Sequence, residues 1–78
     1  LPVLGLVNEL INAGGNRVPI MSIANDYIVQ QFLDEKIAFN EMFPLIKKTI
    51  QNFSSDDLPT LEDLIKLDRN IKLYLEPK

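Results

Sequence analysis

The sequence of 78 residues contains no cysteine, no histidine and no tryptophan. The lack of cysteine excludes a disulfide framework and a thiol nucleophile. Because cysteine and histidine are both missing, the usual zinc ligands are missing as well. Without histidine the commonest general base is missing as well. Domains of this size often depend on a disulfide or a metal for stability. The composition therefore favours either a compact helical unit or a piece of something larger.

Charge and hydropathy exclude two classes of partner. The 8 basic residues are scattered and outnumbered by 11 acidic ones, so no basic stripe is available to bind nucleic acid. The longest apolar run, Leu1 to Val7, is far shorter than the roughly 20 residues of a membrane span. No positively charged segment indicates a secretory signal. Because the chain begins at Leu1 rather than Met, we expect an excised fragment or a chain whose start is not shown.

Apolar residues recur at three- and four-residue spacing in four segments, which is typical of amphipathic helices. The predicted helices span about residues 3–13, 23–33, 41–53 and 61–75. Gly14 and Gly15 are expected to end the first helix, because glycine readily takes the left-handed conformation after a helix. The sequence shows no strand pattern. It therefore predicts an all-α fold, an antiparallel four-helix bundle that forms a single domain over residues 1–78.

Local signals predict where the second helix begins. Pro19 is expected to keep Val18 extended, and Ser22 to act as the N-cap, with Asp26 in the first turn. Two interpretations of Asn25 and Asp26 stay open, because the pair either helps to cap this helix or makes a buried or interface hydrogen bond.

The third and fourth helices have cap signals of their own. Asn40 is the predicted N-cap of the third helix, with Pro44 in its first turn. Thr60 and Asp63 have the spacing of a capping box at the start of the fourth helix. The acidic pairs at 56–57 and 62–63 lack the spacing of an EF-hand, so we interpret them as solvated residues near a helix start.

Two further residues lie on apolar faces. Tyr27 is expected to pack in the core with its hydroxyl at the edge. Asp68 interrupts the apolar face of the fourth helix, and two alternatives stay open for it: it accepts a hydrogen bond from a backbone N–H or from Arg17, or it is simply exposed. No catalytic, cofactor-binding or metal-binding residue is predicted. The candidate structural residues are Ser22, Ala24, Asn25, Asp26, Asn40, Thr60, Asp63 and Asp68.

The order of several motifs resembles a known family. Leu1-Pro2-x-Leu4 is followed by Gly14-Gly15, by Ser22-Ile23-Ala24-Asn25-Asp26 and by Phe32-Leu33-x-x-x-Ile37-x-Phe39, and later by Pro59-Thr60-Leu61-Glu62-Asp63 and Asp68. This pattern resembles the C-terminal domain of 1-deoxy-D-xylulose 5-phosphate reductoisomerase, which typically carries Asn-Ala-Ala-Asn-Glu before its Phe-Leu and Ile-x-Phe. The chain departs from that pattern at Ser22 and Asp26, which replace Asn and Glu, so it is either a standard or a divergent member.

The resemblance implies a four-helix bundle that supports a catalytic domain lying upstream. It implies that the parent enzyme uses NADPH and a divalent metal, Mg or Mn, and is a homodimer. The expected location is the bacterial cytoplasm, or the plastid in a eukaryote. No catalytic residue is carried onto these 78 residues, and alone they are not expected to be an enzyme. An alternative hypothesis is an independent helical protein-interaction module, and a third is a divergent paralogue with a different substrate.

Overall fold

The computed structural model describes the backbone of residues 2–77 and the side chains from residue 4 onward. Leu1, which belongs to the family motif, Lys78, which ends the predicted domain, and the side chain of Val3 lie outside this description. The described chain is all-helical and contains no strand. Its four helices are α1 (Pro2–Ala13), α2 (Arg17–Leu33), α3 (Phe39–Phe53) and α4 (Leu61–Leu75).

Helix α2 begins earlier than the sequence predicts. It starts at Arg17 with Asn16 as its N-cap, so the predicted connector before Ser22 is helical instead. Pro19 is the third residue of the helix, where no intrahelical bond needs its N–H, and the first such bond runs from the Ile20 N–H to the Asn16 carbonyl at 3.0 Å. The expectation that Pro19 holds Val18 extended is therefore wrong.

The beginning of α3 also differs from the prediction. Ala38 is the N-cap, and Asn40 lies inside the helix rather than before it. Ala38 has no side-chain acceptor, but its N–H donates to Oε1 of Glu41 at 2.8 Å, which is one half of a capping box. Pro44 is the sixth residue of α3 and not part of its first turn. It deprives the Asn40 carbonyl of its i+4 donor at a position that faces solvent.

Helix α4 begins where local sequence signals place it. The Asp63 N–H donates to Oγ1 of Thr60 at 3.1 Å, and the Thr60 N–H donates to Oδ2 of Asp63 at 3.0 Å. These two reciprocal bonds satisfy backbone donors that an uncapped helix would leave unpaired.

The hydrophobic core centres on α2, which packs against each of the other three helices. Its contribution is a stripe of three fully buried residues, Ile20, Ala24 and Ile28. The buried apolar residues from the other helices are Leu10, Ile50, Ile71 and Leu75. Ala24, a residue of the family motif, is thus a core residue whose small size suits the closely packed centre of the domain. None of the helices has the length and hydrophobicity that crossing a bilayer requires, as far as the described residues show.

Gly5 offers a simple way to stabilise α1. It is a helical residue with nothing within 4 Å of the position that a Cβ would take. Because alanine loses less backbone entropy than glycine in a helix, Gly5→Ala should raise the free energy of unfolding by about 0.5–1 kcal/mol. Urea denaturation followed by circular dichroism measures the change, and an unchanged or lower midpoint would contradict the prediction.

Candidate functional site

Asn16 joins the α1–α2 turn to the α3–α4 loop. Its Nδ2 donates to the Phe53 carbonyl at 3.1 Å, and its Oδ1 accepts from the Ser55 N–H at 2.7 Å. Its backbone N–H also donates to the Ser55 carbonyl at 3.1 Å. We call this set of three hydrogen bonds the Asn16 clasp. Only 8% of Asn16 is exposed, so few waters can replace these bonds if the side chain is lost.

Two neighbours of Asn16 complete this contact. Gly15 has a φ of +63°, and a Cβ at this position would lie 1.9 Å from the Ser55 carbonyl oxygen. The Arg17 guanidinium lies 3.4 Å from that same oxygen and 2.9 Å from Oδ1 of Asp56. The two loops therefore approach so closely that only glycine fits at position 15. Arg17 does not contact Asp68, so the prediction that Arg17 is the hydrogen-bond partner of Asp68 is wrong.

Asp68 is held by α2 instead. The Tyr27 hydroxyl donates to both carboxylate oxygens of Asp68, at 3.1 and 3.2 Å. Asp68 is exposed, and Tyr27 is partly buried with its ring against the core. Desolvation of the hydroxyl, followed by the hydrogen bond and the negative charge of Asp68, raises the pKa of Tyr27 above its ordinary value. The pair is a link between α2 and α4, with a phenol that stays protonated at neutral pH.

Three further predicted site residues, Ser22, Asn25 and Asp26, lie on the exposed side of α2. Ser22 lies in the interior of α2 and does not cap it, and Asp26 is therefore not in a first turn. Ser22, Asn25 and Asp26 are exposed and line the mouth of a cavity of about 350 Å³ between α1, α2 and α3. Its apolar lining consists of Leu6, Val7, Met21, Phe43 and Ile46. Asn25 and Asp26 lie in the interior of α2, and among the described residues their side chains make no hydrogen bond, so the capping interpretation and a buried hydrogen bond are both wrong. A hydrogen bond at an interface stays a prediction.

The described residues show no cluster of metal ligands and no strand-based nucleotide-binding unit. Nowhere in residues 2–77 do three or more Asp, Glu, His or Cys side chains gather as metal ligands would. An all-helical fold also lacks the strand–loop–helix unit that commonly binds a dinucleotide. The residues present therefore do not fit the metal or the NADPH that the resemblance implies for a parent enzyme, and we assign neither group to them.

Three of the four carboxylates in the acidic pairs at 56–57 and 62–63 have structural partners. Asp56 binds Arg17, Glu62 lies 3.4 Å from the Lys66 ammonium, and Asp63 belongs to the capping box. The hydrogen bond that the Asp63 carboxylate accepts from the Thr60 N–H is the main cause that lowers the pKa of the Asp63 carboxyl, and the nearby Thr60 side chain adds to it.

This shift predicts an acid-dependent stability. Because the pKa of Asp63 is lower in the folded chain, its contribution is present at neutral pH and is lost as the pH falls through the folded value. Wild type should therefore lose more stability than Asp63→Asn when the pH drops from about 5 to about 2. Thermal melts across this range measure the difference. Asp57→Asn is the control, since the Asp57 carboxylate accepts no hydrogen bond among the described residues. Equal acid slopes for wild type and Asp63→Asn would contradict the prediction.

Large apolar side chains remain exposed on every helix. On α4 and the loop before it these are Leu58, Leu61 and Ile65, and on α1 they are Leu4 and Ile11. Ile11 is 59% exposed. A third group lies at the α2–α3 turn, where Phe32 and Phe39 meet edge to face with ring centroids 5.9 Å apart.

A groove of about 600 Å³ lies at this turn, and we call it the end groove. It is lined by the apolar residues Phe32, Leu33, Ile37 and Ala38 and by the charged residues Glu35, Lys36 and Glu41. Leu33 and Phe39 are about two-thirds exposed, at 65% and 66%. So much exposed apolar surface on a small domain is typical of a surface that contacts other protein.

The geometry thus defines a small helical domain that is held together by polar contacts between its loops and that exposes apolar surface. Residues 1–74 match the family model for the "DXP reductoisomerase C-terminal domain". The chain belongs to this family. The match extends from the first residue to the last turn of α4.

Bacterial relatives share this similarity. The chain is 33% identical over 72 residues to the 1-deoxy-D-xylulose 5-phosphate reductoisomerase of Zymomonas mobilis, covering 92% of the chain and 19% of that relative. It is 37% identical over 70 residues to that of Crocosphaera subtropica, covering 87% of the chain and 18% of the relative. The chain thus spans about a fifth of the length of these relatives. No solved structure shows a significant match.

Proposed function

We propose that the chain is the C-terminal helical domain of a longer NADPH-dependent reductoisomerase of the non-mevalonate isoprenoid-precursor pathway, and that it supports the upstream catalytic domain. The observation that carries this proposal is the family match over residues 1–74. The relatives that bear the reductoisomerase name are about five times as long as the chain, which leaves room in them for a catalytic part. NADPH, a divalent metal and the substrate would then bind to that part of the parent.

The arrangement of the helices fits a supporting role. We propose that the helices form an antiparallel bundle within one domain. In support, the Asn16 clasp joins the start of α2 to the end of α3, as two antiparallel neighbours require. Phe53 on α3 also meets Tyr74 on α4 edge to face at 5.4 Å, which links these two helices. The outer apolar side chains stay available to a neighbouring domain.

Location and assembly follow the same reasoning. The relatives named above are bacterial, which supports the bacterial cytoplasm as the location of the parent, with the plastid as its counterpart in a eukaryote. We propose that the parent is a homodimer. Light scattering of the purified parent measures this, and a monomeric mass at all concentrations would contradict it.

Calorimetry tests whether NADPH and the metal bind outside these 78 residues. The full polypeptide encoded by the gene that contains this sequence is expected to bind NADPH and Mn²⁺ stoichiometrically, whereas the 78-residue chain should release no binding heat with either. Tight, stoichiometric binding of either ligand to the 78-residue chain would contradict a purely supporting role.

The exposed apolar surface also favours a second candidate, an independent helical module that binds another protein. The two candidates differ in what covers the surface. A supporting domain is covered by its own polypeptide, so it should acquire no separate partner. A separate protein that co-purifies in stoichiometric amount with the full polypeptide, and is lost when Leu61 and Ile65 are replaced by polar residues, would favour the module.

A further inference from the structure

The end groove lies where α2 extends beyond α1. The two helices are joined by a tight turn at Gly14–Gly15, and Leu6 and Val7 share a cavity with Met21 and Asn25. Residues 6–7 are thus opposite residues 21–25, and by this register the start of α1 lies beside about residue 28. With a rise of 1.5 Å per residue, α1 is roughly 18 Å long and α2 roughly 26 Å. The last turn of α2 therefore has no α1 residue beside it.

The uncovered turn continues the face of α2 on which α1 lies. Met21, Asn25 and Phe32 are spaced by four and seven residues, so they lie on one side of the helix. Met21 and Asn25 line the cavity shared with α1, whereas Phe32 and its neighbour Leu33 line the end groove. The same side of α2 thus runs from the cavity beneath α1 to the apolar surface of the open groove, and Phe39 on α3 meets Phe32 there.

We propose that the end groove is the docking site for the stretch of polypeptide that immediately precedes α1 in the parent enzyme. This inference rests on the proposed function, because only a longer parent has such a stretch. By this register the start of α1 lies about one helical turn from Phe32, so a stretch that continues the axis of α1 would reach the groove within a few residues. The lining calls for apolar side chains in that stretch opposite Phe32, Leu33 and Ile37, and for polar ones opposite Glu35, Lys36 and Glu41.

This docking would fix the orientation of the domain relative to the catalytic part. A connection that is bound along the axis of α1 moves as one body with α2, whereas an unbound one is a flexible hinge. The other exposed faces, Leu4 and Ile11 on α1 and Leu61 and Ile65 on α4, are then free to contact the catalytic domain or a second copy.

Hydrogen exchange of the full parent polypeptide tests the proposal. In wild type, the amides of the residues before α1 should be protected. In the double variant Leu33→Gln/Phe39→Asn they should exchange roughly tenfold faster or more, because their cover is lost. The matched control is Leu61→Gln/Ile65→Asn, which removes two equally exposed apolar side chains from α4 and should leave these amides protected. Unchanged protection of α4 amides in each variant shows that the domain is still folded.

Each outcome decides the matter. Equal exchange of the preceding residues in wild type and in the Leu33→Gln/Phe39→Asn variant would overturn the proposal. So would a loss of dimer mass in that variant without faster exchange, since a second copy would then occupy the groove. If the double variant unfolds, Leu33→Gln alone provides the comparison. Assay of the same wild-type polypeptide for NADPH oxidation with 1-deoxy-D-xylulose 5-phosphate separates the two claims. An active enzyme with an unprotected connection contradicts only the docking proposal, and a protected connection without activity contradicts only the proposed function.

Discussion

Replacing Gly15 with alanine is expected to destabilise the domain by about 4 kcal/mol, which is most of the stability of a domain this small. Two costs combine at this position. The backbone has a φ of +63°, which strains any L-residue with a Cβ, and the new Cβ would lie 1.9 Å from the Ser55 carbonyl oxygen. The clash is with backbone, so relief requires the α3–α4 loop to move away and the Asn16 clasp to open.

Gly14→Ala is the matched control for this prediction. Gly14 has a similar φ of +73°, but nothing lies within 4 Å of its potential Cβ. The free energy of unfolding of this variant should fall only by the conformational strain, about 1–2 kcal/mol. Urea unfolding of both variants measures the two costs, and the difference between them isolates the loop contact. Equal destabilisation of the two variants would show that the loops do not approach each other as described.

Asn16→Ala should cost about 2–4 kcal/mol, the second largest effect expected for a single substitution at the loops. The change removes two side-chain hydrogen bonds and leaves the Ser55 N–H and the Phe53 carbonyl without these partners. Because the site is largely shielded from water, solvent compensates only part of the loss. Equilibrium unfolding in urea gives the free-energy difference.

Asn12→Ala tests whether the effect belongs to the clasp rather than to the loss of any asparagine. Asn12 is exposed on α1 and its side chain makes no hydrogen bond among the described residues. Its replacement should change stability by no more than about 0.5 kcal/mol. If Asn16→Ala is as mild as Asn12→Ala, the clasp contributes little and our account of the loop contact is wrong.

Features of the fold that depend on neighbouring residues could be read from the sequence. Thr60 and Asp63 are three residues apart and bond only to each other's backbone, so the start of α4 was predictable. The start of α2 was not, because Ser22 has the chemistry of a cap wherever it lies. The actual N-cap, Asn16, follows two glycines that the sequence indicated only as the end of α1. Pro19 was expected to keep Val18 extended, yet a proline in the first turn of a helix costs no hydrogen bond.

Contacts between distant segments carried no sequence signal. Asn16 and Ser55 are 39 positions apart, and Tyr27 and Asp68 are 41 apart. The sequence indicated that Asp68 needs a hydrogen-bond partner, and Arg17 was one of the predicted donors. The partner is Tyr27, which α2 brings beside α4, and Arg17 binds Asp56 instead. Helical periodicity gives the face on which a residue lies but not which helix that face meets.

The sequence also does not show which apolar side chains stay exposed. Periodicity identifies apolar residues on each helix, but the structure leaves Ile11, Leu33, Phe39 and Leu61 exposed. A helix in a multidomain protein has apolar residues both for its own core and for its neighbours. The sequence of one domain does not distinguish the two sets, and the structure does.

We propose that these 78 residues support a reductoisomerase whose substrate and cofactor bind elsewhere in the parent. The most direct test is the rate of NADPH oxidation with 1-deoxy-D-xylulose 5-phosphate and Mn²⁺, measured for the full polypeptide encoded by the gene and for the same polypeptide lacking these 78 residues. We predict an active full polypeptide, a truncated one with little or no activity, and partial recovery when the separate 78-residue chain is added. Full activity of the truncated polypeptide, or no reductoisomerase activity of the full one, would contradict the account.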